Sequence, residues 1–211
     1  VALSGGSTPS TLFQLLARSP YKESISWEKI HFYWADERCV PPDDSESNYG
    51  QAWQSFLSKV PVLKQNIHRI KGELEPETAA KDYIYQLRQN ATGDLKWPIL
   101  DYVLLGMGAD GHTASLFPGQ VNPAETKSAA IAVTADYMGR PATRVTLTPL
   151  VFNSARHILF LVSGENKAKA LSTVLDGSYN PLNLPAQRIR PVNGDITWII
   201  DQAAAALLNN K

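Results

Sequence analysis

Three glycines, an aspartate and a histidine follow one short apolar segment, and these are the residues of the chain best suited to chemistry. The apolar segment is Tyr102–Leu105, and its length and composition predict a buried strand of a parallel sheet. Over residues 106–112 the glycines allow the backbone to turn sharply and approach a ligand closely. Asp110 and His112 are the first charged or titratable side chains to follow. Because ligands of open α/β sheets bind beyond the carboxyl ends of the strands, this pair is a candidate for proton transfer.

Three further segments carry polar or charged groups directly after a predicted strand. Residues 5–9 read GGSTP, residues 36–38 read DER, and residues 163–167 read SGENK. If the strands before them are parallel, these segments and residues 106–112 all lie at one edge of the sheet. The convergence of four such segments predicts a ligand site at that edge.

The GGSTP segment is suited to binding an anion. Gly5 and Gly6 expose backbone N–H groups, and the next two residues, Ser7 and Thr8, add hydroxyl groups. A helix is predicted over residues 10–17, with Thr8 as its N-cap and a proline at its first position. The amino end of a helix attracts anions through its dipole and its unpaired N–H groups. The alternative is an ordinary capped turn between a strand and a helix.

The DER segment places two charged residues on a predicted loop after the strand 30–34. Side-chain alternation puts Asp36 and Arg38 on the same side and turns Glu37 away. Arg38 can bind a phosphate or carboxylate oxygen, whereas Asp36 can hold a hydroxyl group or orient Arg38. Taken alone, the pair fits a partly buried salt bridge as well as it fits a ligand site.

Two more cations lie where they could complete an anion site. Lys167 is predicted at the amino end of a helix, where a cation is unfavourable unless an anion is nearby. Arg144 precedes a short predicted strand. Each is typical of a surface charge when considered alone, but together with the GGSTP segment they would form a phosphate pocket.

The glycine spacing of residues 106–111 also matches that of dinucleotide-binding turns, and Asp136 could serve as the ribose-binding acid. That interpretation requires a regular helix after the last glycine. Pro118, Gly119 and Pro123 interrupt the chain too early for one. The histidine, cysteine and acidic residues also lack the spacing of metal ligands. The sequence therefore predicts neither a nucleotide cofactor nor a metal.

Strands alternate with helical segments along the whole chain, which predicts one α/β domain over residues 1–211. Its sheet is expected to be open and mostly parallel with helices on both faces, a Rossmann-like three-layer sandwich. The predicted strands cover residues 1–4, 30–34, 102–105, 131–134, 145–147, 158–162 and 196–200. The predicted helices cover residues 10–17, 48–59 and 78–90, a segment from 163–167 to about 175, and an alanine-rich segment capped by Asp201 that runs to 208. Because the first strand is already under way at Val1, we expect a helix and a strand to precede it.

Composition narrows the classes of partner. Twenty Lys and Arg residues balance twenty Asp and Glu residues, so no global field favours nucleic acid or a membrane surface. The single cysteine, Cys39, excludes an internal disulfide and fits a reducing compartment. These features predict a cytoplasmic protein, a monomer or a small homo-oligomer, whose partner is a small molecule.

Segments spread over almost the whole chain resemble the 6-phosphogluconolactonases, which share a superfamily with glucosamine-6-phosphate deaminase. Residues 110–118, DGHTASLFP, are the most specific of them. The other matching stretches, in the order of the family, are residues 3–9, 34–41, 46–49, 105–119, 144–148, 164–168 and 198–201.

The resemblance implies hydrolysis of 6-phospho-D-glucono-1,5-lactone to 6-phosphogluconate, in the pentose phosphate pathway, without a cofactor. It implies that His112 is the general base, with Asp110 in support of the imidazole. The residues that would receive the phosphate are Gly5, Gly6, Ser7, Thr8, Arg144 and Lys167. The residues that would line the lactone end are Asp36, Arg38, Asn48 and Asp110.

Two alternative functions would require a different set of catalytic or binding residues from the lactonase. The amino-sugar deaminases of the superfamily carry a glutamate a few residues past the matching histidine, where this chain has Phe117. An isomerase or deaminase would therefore lack a proton carrier that lactone hydrolysis does not need. A sugar-phosphate sensor would keep the GGSTP segment, Arg144 and Lys167 but would have no use for Asp110 and His112.

Overall fold

The structure, a computed structural model, describes residues 1–119, 121–137 and 139–209. Within this part of the chain the strands are Ala2–Leu3 (β1), Phe32–Trp34 (β2), Asp36–Arg38 (β3), Ile67–His68 (β4), Tyr102–Leu105 (β5), Ala130–Thr134 (β6), Thr143–Leu147 (β7), His157–Val162 (β8) and Asp195–Ile200 (β9). The α-helices described there are Ser7–Leu16 (α1), Tyr21–Ser24 (α2), Asn48–Ser55 (α3), Pro76–Gln89 (α4), Pro149–Phe152 (α5) and Ala168–Asp176 (α6).

The main sheet is parallel throughout, as the alternation of strands and helices predicts. Its strand order is β4-β2-β1-β5-β8-β9. The chain builds outward from β1 to β2 and β4, then returns to add β5, β8 and β9 on the other side. Because crossovers between parallel strands are almost always right-handed, crossovers that run in opposite directions put the connecting helices α1 and α6 on opposite faces. The direction of growth reverses between β1 and β5, and such a switch point is where open α/β sheets bind ligands.

Buried aliphatic and aromatic side chains fix this sheet. The strands β1 and β2 are buried along their whole length, and β5 is buried after its first residue. At the carboxyl end of the sheet the Ser4 hydroxyl donates to the backbone oxygen of Leu104, 2.8 Å away, and so ties β1 to β5. The two strand ends at the switch point are therefore held together.

A second sheet was not predicted. The strands β3, β7 and β6 form an antiparallel sheet, so the DER segment is a buried strand and not a loop. The predicted strands near 131–134 and 145–147 exist, but they belong to this sheet and not to the parallel one. The cause is a change of partner after β2: the N–H of Leu147 donates to the oxygen of Ala35 at 2.8 Å, and residues 36–38 then pair with β7.

The boundaries of several helices differ from the prediction: α4 begins at Pro76 and not at residue 78, and the differences at α1 and α3 are larger. The helix α1 begins at Ser7 with Gly6 as its N-cap, so Thr8 lies inside the helix. The expected N-cap role of Thr8 is therefore wrong, because glycine already provides the turn. The helix predicted over residues 48–59 ends at Ser55, since Phe56 leaves the helical conformation and a 3-10 turn, Leu57–Lys59, follows.

The carboxyl-terminal helix expected over residues 201–208 is not formed. Residues 202–208 make successive turns, although Asp201 accepts a hydrogen bond from the N–H of Ala204 at 2.7 Å as a cap would. The same carboxylate also accepts the N–H of Gly164. Asp201 thereby ties the end of β9 to the SGENK segment, and this competes with its role as a helix cap.

The carboxylate of Glu37 joins β3 to the amino end of α3. One of its oxygens accepts the backbone N–H groups of Asn48 at 2.7 Å and Arg38 at 2.8 Å. The other accepts the N–H of Tyr49 at 2.8 Å and the Ser47 hydroxyl at 3.1 Å. As predicted, alternation along β3 turns the Glu37 side chain away from those of Asp36 and Arg38. On this opposite side of the strand its carboxylate holds the amino end of α3.

We expect Glu37→Gln to destabilise the fold. The amide nitrogen would face N–H donors that now meet an oxygen, and each buried donor left unsatisfied costs about 1–3 kcal/mol. Urea unfolding followed by circular dichroism would measure the loss. Glu28→Gln, at an exposed position, is the matched control. Equal stability of the two variants would show that the Glu37 contacts do not hold α3.

Candidate active site

A polar cavity of about 240 Å³ lies at the switch point, beyond the carboxyl ends of β1 and β5. Nine of the predicted site residues line it together: Gly5, Gly6, Ser7, Asp36, Arg38, Asn48, His112, Arg144 and Lys167. They come from six separate parts of the chain: the four segments predicted to meet at this edge, the amino end of α3, which carries Asn48, and β7, which carries Arg144. The predicted convergence of the GGSTP, DER, 106–112 and SGENK segments on one edge of the sheet is thus observed.

Two predicted site residues do not line the cavity. The Thr8 hydroxyl lies 2.9 Å from that of Ser163, outside the cavity wall. Asp110 lies beside His112 and contacts its imidazole instead of the cavity. Because α1 already begins at Ser7, Thr8 lies on the next position of the helix, and its side chain points away from the cavity.

Asp110 and His112 form a hydrogen-bonded pair. The imidazole Nδ1 of His112 is 2.6 Å from Oδ1 of Asp110, which also accepts the backbone N–H of His112 at 3.1 Å. Burial alone would raise the pKa of Asp110, but hydrogen bonds and the charge of His112 outweigh it and lower that pKa below its usual value. An ionised Asp110 fixes the proton of His112 on Nδ1 and leaves Nε2 free to accept another.

Two aromatic rings enclose the imidazole. The ring centroid of Phe117 lies 4.7 Å from that of His112, and the ring of Tyr137 meets it edge-on at 4.5 Å. Only 14% of the His112 side chain is exposed. The imidazole is therefore held in one orientation at the cavity wall.

We expect Gly108→Ala to disrupt the Asp110–His112 pair without unfolding the protein. A Cβ atom at residue 108 would lie 2.1 Å from Nδ1 of His112 and 2.5 Å from Oδ1 of Asp110. The imidazole must move, and misplacing a catalytic group by about 1 Å can cost 10²-fold in rate. Steady-state kinetics would measure the loss of kcat.

Gly106→Ala is the matched control for this variant. A Cβ atom there meets nothing within 4 Å, although Gly106 lines the same cavity and lies two residues away. If both variants turned over substrate equally well, the fixed position of the imidazole would have no bearing on the reaction.

Asp36 is held by two neighbours and does not pair with Arg38. Its Oδ2 accepts the hydroxyl of Ser115 at 2.6 Å. The amide nitrogen of Asn48 donates to the backbone oxygen of Asp36 at 2.9 Å and to its Oδ1 at 3.3 Å. Arg38 pairs instead with Glu46, at 3.2 Å. In place of the Asp36–Arg38 salt bridge that the sequence allowed, Arg38 forms an ion pair with Glu46, and Asp36 links β3 to Ser115 by a hydrogen bond.

Two buried arginines of the cavity wall have N–H groups that no atom of the described residues accepts. These groups are Nε of Arg38 and Nη2 of Arg144. Arg144 lies over the ring of Phe117, 5.2 Å from its centroid, and its Nε donates to the backbone oxygen of Pro141 at 3.1 Å. Burial lowers the pKa of Arg144, against the attraction of Asp36. Buried polar groups are normally paired, so unpaired guanidinium groups beside a cavity indicate an anionic ligand.

The cavity wall is rich in positive charge. Four cations, Arg38, Arg140, Arg144 and Lys167, line it with a single carboxylate, Asp36. Burial lowers the pKa of Lys167, and the charge of Asp110 partly offsets that effect. In the described part of the chain no carboxylate lies within ion-pair distance of Lys167. An anion is the ligand that best balances this charge.

The GGSTP turn forms the other wall. Gly6 has a φ of 115°, which favours glycine, and its N–H donates to the side-chain oxygen of Gln51 at 3.2 Å. A Cβ atom on Gly5 would lie 1.8 Å from Oδ1 of Asn48, so only glycine allows α3 to approach this closely. The turn thus brings the amino end of α1 to the cavity.

Sequence reasoning missed four residues that shape the site. They are Ser115, Tyr137, Glu46 and Arg140. Ser115 lies within residues 110–118, the stretch most specific for the family, but nothing in the sequence indicates that it contacts Asp36. Glu46 lies in the acidic loop that precedes α3, and its pairing with Arg38 depends on the second sheet, which was not predicted.

The described residues contain no group of three or more His, Cys, Asp or Glu side chains that could hold a metal ion. The helices of residues 1–119, 121–137 and 139–209 are all too short or too polar to cross a bilayer.

Together, the parallel sheet and the cationic cavity at its switch point define an α/β domain that binds an anionic small molecule. Comparison with known proteins is more specific. The family model described as glucosamine-6-phosphate isomerases/6-phosphogluconolactonase matches residues 1–198. The chain therefore belongs to the glucosamine-6-phosphate isomerase/6-phosphogluconolactonase family.

Individual relatives cover nearly the whole chain. The 6-phosphogluconolactonase of Haemophilus influenzae is 40% identical over 208 residues, which span 99% of this chain and 87% of that protein. The solved structure of 6-phosphogluconolactonase from Trypanosoma brucei is 28% identical with a TM-score of 0.82, and the match covers 97% of this chain and 84% of that one. The corresponding enzyme from Thermotoga maritima is 28% identical with a TM-score of 0.78, over 94% of this chain and 83% of that one.

Proposed function

We propose that the protein is a 6-phosphogluconolactonase, which hydrolyses 6-phospho-D-glucono-1,5-lactone to 6-phosphogluconate. One observation carries this proposal. A single cavity holds the imidazole of His112, paired with Asp110, together with the buried guanidinium of Arg144, whose Nη2 has no partner among the described residues. The anion site can bind the phosphate of the substrate, and the proton acceptor in the same cavity can activate the water that attacks the lactone. The names of the relatives in H. influenzae, T. brucei and T. maritima agree with it.

The phosphate is bound at the GGSTP turn. Backbone N–H groups at the amino end of α1, the Ser7 hydroxyl, Arg144 and Lys167 supply donors and positive charge there. Because Gly5 and Gly6 have no side chains, the phosphate can approach the backbone of this turn closely. Thr8 supports the turn through its contact with Ser163 and does not contact the ligand directly.

Hydrolysis begins with water. Nε2 of His112 accepts a proton from water while the water oxygen attacks the lactone carbonyl carbon, and Asp110 stabilises the imidazolium that results. The proton then passes to the ring oxygen as its bond to the carbonyl carbon breaks. The products are a hydroxyl group on the sugar chain and a carboxylic acid, which loses its proton to solvent. Holding the phosphate keeps the carbonyl group within reach of His112.

The developing oxyanion requires a donor. Nε of Arg38 is buried beside the cavity and has no hydrogen-bond partner in the part of the chain that the structure describes. The backbone N–H groups of the glycine segment are the alternative donors. Asp36 and Asn48 form the wall around the lactone ring, where Ser115 holds the carboxylate of Asp36 in place. No step requires a cofactor or a metal ion.

We further propose that the enzyme acts in the cytoplasm as a monomer or small homo-oligomer. A single half-buried cysteine, Cys39, fits a reducing compartment. Gel filtration of the purified protein would measure its oligomeric state.

A coupled assay tests the proposed reaction. Freshly made 6-phosphogluconolactone would be supplied to the enzyme, and the 6-phosphogluconate formed would be oxidised by its NADP-dependent dehydrogenase, with the spontaneous hydrolysis rate subtracted. We expect a clear acceleration over the spontaneous rate and no release of ammonia from glucosamine 6-phosphate. Acceleration of the second reaction but not the first would contradict the proposal.

A further inference from the structure

We propose that Arg140 is a further residue that binds the anionic end of the substrate, and that the carboxylate of Glu46 pairs with Arg140 and competes with that anion. This inference rests on the proposed function for the identity of the substrate. It concerns a residue that follows a glycine with positive φ on a surface segment, ahead of the second sheet's strand β7.

The position of Arg140 is the first line of support. The candidate active site opens beside a wider polar groove of about 710 Å³ that runs between α1 and α3. The residues that line both are Gly6, Ser7 and Arg140. Arg140 therefore lies across from the amino end of α1, where the phosphate is expected, and at the entrance through which it would come.

The electrostatic setting is the second line of support. Burial is the main cause of the lowered pKa of Arg144, and the nearby charges of Arg38 and Arg140 lower it further, against the attraction of Asp36 and Glu46. Three guanidinium groups crowded around one small cavity repel one another, and an anion between them relieves that repulsion. A phosphate carries about two negative charges, and the reaction adds a third at the lactone end.

A single carboxylate, that of Glu46, pairs with both Arg140 and Arg38. Its Oε2 lies 3.1 Å from Nη1 of Arg140 and 3.2 Å from Nη1 of Arg38. The backbone oxygen of Glu46 also accepts a hydrogen bond from Arg38 at 2.6 Å. One carboxylate thus spans the cavity mouth between β3 and the segment that carries Arg140.

The two ion pairs differ in how easily they can be exchanged. The Arg38 side chain is 9% exposed and keeps its bond to the backbone of Glu46, whereas the Arg140 side chain is 46% exposed and has Glu46 as its ion-pair partner. Exposed ion pairs contribute little to stability, so a phosphate can take Arg140 from Glu46 at small cost. Arg38 remains fixed during that exchange.

Binding of inorganic phosphate and of 6-phosphogluconate, measured by isothermal titration calorimetry, tests this role. We expect Arg140→Ala to weaken the binding of both about tenfold, because a charge-assisted hydrogen bond is lost. Arg18→Ala is the matched control, since Arg18 lines the outer groove but not the cavity. Equal affinities for the Arg140→Ala and Arg18→Ala proteins would overturn the proposal.

A second variant tests the competition by Glu46. We expect Glu46→Gln to tighten the binding of inorganic phosphate several-fold, and to have no such effect when Arg140 is already alanine. A tightening that persists without Arg140 would show that Glu46 competes for a different cation, and would also overturn the proposal. Because phosphate binding is measured without turnover, the result is separate from that of the lactonase assay. If the wild-type protein showed no lactonase activity, the proposed function would be contradicted, but the phosphate-binding role of Arg140 would not.

Discussion

Replacement of His112 by alanine is expected to abolish most lactonase turnover while the product still binds. General-base catalysis contributes about 10²–10⁴-fold to a rate, and His112 is the one imidazole that lines the cavity among the residues that the structure describes. We therefore expect kcat to fall by about that factor, with the dissociation constant of 6-phosphogluconate within about threefold of wild type. Coupled kinetics and calorimetry measure the two quantities.

His157→Ala is the control for this substitution. His157 begins β8 at the opposite, amino-terminal end of the sheet, where it pairs with Asp195 at 2.9 Å. The His157–Asp195 pair has the same chemistry as the Asp110–His112 pair but lies outside the cavity. Turnover near the wild-type rate in His112→Ala, or a comparable loss in His157→Ala, would exclude His112 as the base.

Replacement of Arg144 is expected to impair recognition of the phosphate specifically. Its guanidinium is buried between the ring of Phe117 and the cavity, and residues 1–119, 121–137 and 139–209 offer its Nη2 no hydrogen-bond partner. Loss of one or two charge-assisted hydrogen bonds, each of about 1.5–3 kcal/mol, predicts a rise of about 10–100-fold or more in KM for 6-phosphogluconolactone. The KM for unphosphorylated gluconolactone is expected to stay within a few-fold of wild type.

Two variants separate phosphate binding from folding. Arg144→Lys keeps the charge but loses the planar fork that matches phosphate, so its defect should be smaller than that of Arg144→Ala. Thermal unfolding checks that both remain folded. If Arg144→Ala raised KM for the two lactones by the same factor, Arg144 would not act on the phosphate.

Much of this site could be predicted from sequence because its parts are local. The segment after β5 combines a short buried strand, three glycines and the Asp110–His112 pair, and each of these has a characteristic sequence pattern. The parallel order of β1, β2, β5 and β8 follows from the alternation of strands and helices. Together they place four ligand-facing segments at one edge, and the structure confirms that placement.

The remainder depends on contacts between distant residues. The DER segment becomes a strand because β7 lies beside it, and no pattern within three residues can show that partner. Ser115 reaches Asp36 for the same reason. Asp201 has the sequence of a helix cap, yet its carboxylate also holds Gly164, and residues 202–208 form turns. Tertiary pairing outweighed local propensity in each case.

The central claim is that one cavity fixes a phosphate at one end and brings the carbonyl carbon of a sugar lactone to His112 at the other. A crystal structure of the His112→Ala or wild-type protein with 6-phosphogluconate measures this directly. The account predicts phosphate oxygens in contact with Ser7 and Arg144, and a carboxylate carbon within about 3–4 Å of the position of Nε2 of His112. A phosphate bound away from α1, or a carboxylate directed away from residue 112, would contradict it.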